Sequence, residues 1–125
     1  MDIEKSRNLV NAYFERLFRE RSLRADQVHD RYRLLWDRIN KLSFDGGKRI
    51  RPYLTMVAYG QMDEKIAPVA AAQELVHIAM LIHDDVIDED DVRRGQKISM
   101  VRIKKNTTII LIHHAQVILR VASVF

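Results

Sequence analysis

Residues 66–82 are apolar on nearly every face of a helix, which constrains the fold more than any other feature of the chain. A helix without a continuous polar face must be surrounded by other elements on most sides. Gln73, Glu74 and His77 are the polar exceptions in this stretch, and Asp84 and Asp85 follow it. At 3.6 residues per turn, His77 and Asp84 fall within about 20° of each other. Asp88, four residues on, returns to the same face. The pattern predicts a helix beginning around Asp63, accepting Pro68 near its start and running to about Asp88.

The rest of the chain supplies partners of the same kind. Val10, Tyr13, Phe14, Leu17 and Phe18 recur at helical spacing, and Val28, Tyr32, Leu35, Trp36, Ile39 and Leu42 predict a second apolar stripe. Asp45-Gly46-Gly47 is a break, since adjacent glycines permit backbone angles that other residues avoid. A third helix is predicted from near Arg51 to near Gly60, because Pro52 is tolerated in a first turn. Residues 90–98 read as a loop and 107–125 as a last helix. No segment alternates apolar and polar residues for long, so the expected fold class is all-α in one domain.

Composition excludes several functional classes. The chain has no cysteine, so disulfides and thiolate metal sites are ruled out, in keeping with a reducing cytoplasm. Residues 1–21 are charged throughout and lack the apolar core of a signal peptide. The apolar stretch 107–125 is interrupted by His113, His114, Gln116 and Arg120, so no membrane span is expected. The net charge of +4 invites a nucleic-acid reading, but six of the eight residues in 84–91 are acidic. A duplex binder presents one continuous basic face, and no nucleic-acid partner is expected here.

Chemistry concentrates at three places. Asp84 and Asp88 stand one turn apart, with about 6 Å of rise between them, where a divalent cation would relieve their repulsion. Hard oxygen donors suit Mg²⁺, which takes one or two protein carboxylates and completes its shell with water and phosphate. A solvated acidic helix end explains the same residues, although the flanking Leu81, Ile82, Val86 and Ile87 imply partial burial. Lys48, Arg49 and Arg51 gather at a helix start, where backbone N–H groups and forked guanidinium donors favour anions. A solvated basic turn is the alternative. Arg93 and Arg94 follow the acidic cluster and could simply neutralise it, and His77 alone could be a satisfied core histidine.

Taken together, Gly46-Gly47-Lys48-x-x-Arg51-Pro52, Glu74-Leu75-x-His77, His83-Asp84-Asp85-x-x-Asp88 and Asp91-x-Arg93-Arg94-Gly95 occur in one order. This arrangement resembles the polyprenyl synthetase family of head-to-tail trans-prenyltransferases, over residues 36–95. The resemblance implies the N-terminal helices of an isoprenoid synthase bundle, truncated within residues 1–125. It further implies Mg²⁺ on Asp84 and Asp88 with Asp85 assisting, and an allylic diphosphate met by Arg93. Isopentenyl diphosphate would be held by Lys48, Arg51, His77 and Arg94. Ala79 and Met80 would form the floor of the tunnel for the growing chain, which implies a medium or long product. A full-length form would be a homodimer or larger assembly.

The chain departs from the family's pattern after Gly95. Lys97 stands where a proline is usual, and Ile118-Leu119-Arg120-Val121 lacks a Gly-Asp pair. No second aspartate-rich motif follows, so the chain alone is expected to be inactive in prenyl transfer. The competing expectation is a non-catalytic helical partner that binds diphosphate or a full-length synthase subunit.

Overall fold

The computed structural model describes residues 1–45, 47–87, 92–93, 96–97, 112–116 and 120, with the backbone alone for residues 85–87, 92–93 and 96–97. Four helices make up most of it: α1 (Ile3–Asp26), α2 (Asp30–Phe44), α3 (Ile50–Tyr59) and α4 (Ala67–Ile87). Residues 92–93 and 96–97 form a two-residue antiparallel pair within the expected loop, Val92 opposite Lys97 and Arg93 opposite Gln96. The all-α expectation holds. Residues 112–116 are helical, and the remainder of the expected last helix, apart from residue 120, lies outside the described residues.

Helix α1 begins where the Asp2 carboxylate accepts from the Glu4 N–H at 3.0 Å, satisfying one of the donors left over at a helix start. Its stripe of Val10, Phe14, Leu17 and Phe18 is buried as the spacing predicts. A three-residue turn then reverses the chain, and His29 caps α2 by accepting from the Arg31 N–H on Nδ1 at 3.0 Å. Trp36 and Ile39 of α2 enter the core, with Leu35 and Leu42 packed against it. The predicted stripe was too long at its start. Val28 is 73% exposed and precedes the helix, and Tyr32 is also exposed. Val28 belongs to the turn, where its N–H donates to the Ala25 carbonyl, so helical spacing does not govern it.

Helix α3 stops at Gly60, whose φ of 85° places it in the left-handed region. Its N–H meets the carbonyls of Met56 and Val57, which otherwise end the helix without a donor. Helix α4 starts at Ala67, four residues later than Asp63. The Asp63 carboxylate accepts from the N–H groups of Lys65 and Ile66 and holds them in a turn instead. Ala70, Ala71, Ala72, Leu75, Ile78, Ala79 and Ile82 are buried, and the run of alanines lets neighbouring helices approach closely. One α4 face, carrying Gln73, Met80 and Asp84, remains exposed among the described residues.

Candidate functional site

The candidate face is built between α3 and α4. Arg51 is the second residue of α3 and His77 lies midway along α4, and their side chains meet with Nη1 to Nε2 at 3.0 Å. One turn further along α3, Thr55 Oγ1 meets the Gln73 side-chain amide and lies 3.1 Å from the Arg51 carbonyl. Arg51 opposite His77 and Thr55 opposite Gln73 are two rungs of an antiparallel helix pair. Arginine can only donate. The contact therefore suits the His77 tautomer that accepts on Nε2.

Lys48 and Arg51 are exposed, and His77 is half-buried. Asp84 is exposed seven residues beyond His77, about 10.5 Å further along the axis on nearly the same face. The structure thus brings Arg51 and His77 into contact and puts Asp84 on the same side. The backbone of Asp85 is helical, and Arg93 lies in the short antiparallel pair. Asp88 and Arg94 lie outside the described residues. Among the described residues, no group of three or more histidine or acidic side chains forms a cation-binding cluster. The Asp84 carboxylate is a hard oxygen donor and fits as one protein ligand of Mg²⁺.

Ala79 and Met80 point in different directions. Ala79 is completely buried in the core, whereas Met80 is 49% exposed. The two follow from a single step along α4, about 100° of rotation. Ala79→Phe should therefore destabilise the chain by about 1–3 kcal/mol through overpacking. Met80→Phe should change stability by no more than about 0.5 kcal/mol. Urea denaturation of both variants checks the contrast.

One residue of the basic turn has a different place from its neighbours. Arg49 is 3% exposed, and its guanidinium is anchored on three helices. Nη1 donates to Glu74 Oε1 of α4 at 3.0 Å, and Nε donates to Asn11 Oδ1 of α1 at 3.2 Å. Nη2 donates to the Ser43 carbonyl of α2. The group also lies over the rings of Phe14 and Phe44, 5.2 and 6.0 Å from their centroids. Glu74 is likewise 3% exposed.

The backbone of Arg49 is left-handed, φ 55° and ψ 34°, at the position that opens α3. Such a conformation costs a non-glycine residue about 1–2 kcal/mol. The glycine pair was expected to provide the unusual backbone angles. Gly46 lies outside the described residues, and among the described residues before α3 it is Arg49 that has a positive φ. Gly47 serves another purpose: a Cβ there would lie 2.9 Å from Arg49 Nη1 and 3.5 Å from Glu74 Oε1. Sequence reasoning grouped Arg49 with the anion-binding cations. The available signal was Glu74, a carboxyl group within a largely apolar stretch, which when buried calls for a cation nearby.

The family model for polyprenyl synthetase matches residues 33–119, more than half of the chain. The chain belongs to the polyprenyl synthetase family. Within it, the chain is 52% identical over 65 residues to a short chain isoprenyl diphosphate synthase of Methanocaldococcus jannaschii, covering 50% of this chain and 20% of that protein. It is 56% identical over 54 residues to heptaprenyl diphosphate synthase component 2 of Geobacillus stearothermophilus, 41% of this chain and 17% of that protein. Octaprenyl diphosphate synthase of Escherichia coli is 43% identical over 65 residues, 46% of this chain and 20% of that protein. The chain spans about a fifth of the length of these curated relatives. The polyprenyl synthetase match takes in Arg49, Arg51, Glu74, His77 and Asp84 but leaves out the whole of α1, which supplies Asn11 and Phe14 to the Arg49 anchor. No helix among the described residues is long and apolar enough to cross a membrane.

Proposed function

We propose that this chain provides diphosphate-binding and metal-binding groups for head-to-tail prenyl transfer, in which isopentenyl diphosphate condenses with an allylic diphosphate. The observation that carries the reading is the meeting of Arg51 and His77 on the side of α4 that also bears Asp84, in a chain of this family. Lys48, Arg51, His77 and Arg94 hold the diphosphate of isopentenyl diphosphate. Arginine suits the task because its fork matches phosphate oxygens and its charge is permanent. A phosphate oxygen inserted between Arg51 and His77 gives both side chains an acceptor, once His77 presents an N–H. Asp84 and Asp88, with Asp85 assisting, would hold Mg²⁺, which supplies positive charge opposite the allylic diphosphate.

Arg93 adds a fixed positive charge as the allylic carbon–oxygen bond breaks and the diphosphate leaves with the electron pair. The double bond of isopentenyl diphosphate then attacks the allylic carbon, and a proton is lost to restore the alkene. Met80 lies on the exposed face one turn before Asp84, and its side chain is flexible enough to yield to a growing hydrocarbon. This supports a medium or long product. A relative named as one component of a synthase supports an assembled working form.

Thermal unfolding tests the binding part. With Mg²⁺ and inorganic pyrophosphate at about 100 times their dissociation constant, mass action adds about 2.7 kcal/mol to native-state stability. The melting temperature should rise accordingly, and the double variant Asp84→Ala/Asp88→Ala should lose the metal-dependent part of the gain. An equal rise in that variant would refute the metal assignment.

A further inference from the structure

Resting on the diphosphate reading above, we propose that Arg49 is a positioning residue whose buried pair with Glu74 holds the basic turn in its binding shape. Three observations converge on it. Residue 49 has a left-handed backbone without being glycine, and it is where α3 begins. Its side chain is buried and bonded to α1, α2 and α4, so it cannot itself reach a ligand in solution. Gly47 lies so close to the pair that a methyl group there would collide with the guanidinium.

The geometry explains how the anchor acts at a distance. Arg49 lies between Lys48 and Arg51, and its backbone angles set where α3 starts and the direction in which Lys48 leaves it. Were residue 49 to relax to right-handed helical angles, α3 would extend backwards and the turn would be rebuilt. Glu74 and His77 are three residues apart on α4, about 4.5 Å along its axis. One helix therefore carries both the anchor for the turn and the group that meets Arg51. The buried ion pair fixes the register between the basic turn and α4, a role that buried polar pairs perform in some folds.

The test uses the 125-residue chain and inorganic pyrophosphate, followed by NMR. In the unaltered protein the Arg49 amide should show the strong intraresidue HN–Hα NOE that marks a positive φ. Glu74→Gln should weaken that signature and reduce pyrophosphate affinity at least tenfold. Because this variant leaves a buried cation without its counter-charge and could unfold, Arg49→Met/Glu74→Met serves as a second arm. It replaces the pair with apolar side chains of similar length, and circular dichroism reports its helix content. A folded double variant with at least tenfold weaker binding supports positioning. The same variant with unchanged affinity overturns it, since a merely stabilising pair would be replaceable. Arg51→Ala, which leaves the anchor intact, should weaken binding while keeping the Arg49 NOE. Failure of the unaltered chain to bind pyrophosphate, or unchanged binding by Arg51→Ala, would instead overturn the diphosphate reading.

Discussion

Replacing Glu74 with alanine is expected to cost the fold about 3–5 kcal/mol, because it leaves the Arg49 guanidinium buried without its counter-charge. The figure rests on burial. Both side chains are almost wholly enclosed, and the bond between them is 3.0 Å long. The other ion pairs among the described residues, such as Arg33 with Asp26 and Arg24 with Glu20, are exposed. Exposed pairs of that kind contribute at most about 1 kcal/mol. Asp26→Ala is therefore the control, and its midpoint in urea should hardly move while that of Glu74→Ala falls steeply. Similar midpoints for the two variants would show that the buried pair is no more important than a surface one.

Phe14→Ala should be comparably severe, at about 3–5 kcal/mol. Phe14 is fully buried, with its ring 5.3 Å from Phe18 and edge-on to Phe44 at 6.3 Å. It also lies beneath the Arg49 guanidinium. Removing it therefore opens a cavity and strips one wall from the buried cation. The two losses predict non-additivity with Glu74→Ala, since both substitutions act on the surroundings of one group. A double-mutant cycle by urea denaturation measures the coupling. Phe14→Ala and Glu74→Ala costs that sum without interaction would separate the aromatic cluster from the ion pair.

These two residues mark the boundary of what was legible in the sequence. Phe14 was visible as part of a helical stripe, because one side of α1 is all that the spacing has to specify. The surrounded character of α4 was visible too, since few arrangements can cover a helix that is apolar nearly all round. Local bonding displaced two boundaries that spacing alone could not place. Asp63 takes the first backbone donors for a turn and delays α4, and Val28 closes a turn rather than continuing α2. In the candidate site, the motif spacing singled out Arg51, His77 and Asp84. The structure adds that the first two are in contact. The distinct role of Arg49 was hidden because charge type says nothing about direction. Adjacent cations at a helix start look alike until three other helices determine which one turns inward.

The anchoring of Arg49 also bears on whether the basic turn is portable. Its partners are Ser43, Asn11 and Glu74, which lie 6, 38 and 25 residues away in sequence. Most of the information that shapes the turn therefore lies outside the segment it shapes. Grafting residues 46–52 onto another helix start would transfer the positive charges without the geometry. The left-handed residue would have no buried contacts to offset its cost, and a transplanted Arg49 would swing into solvent. A graft that keeps the shape of the turn must carry the partners contributed by α1, α2 and α4, so the smallest transferable unit is the four-helix assembly.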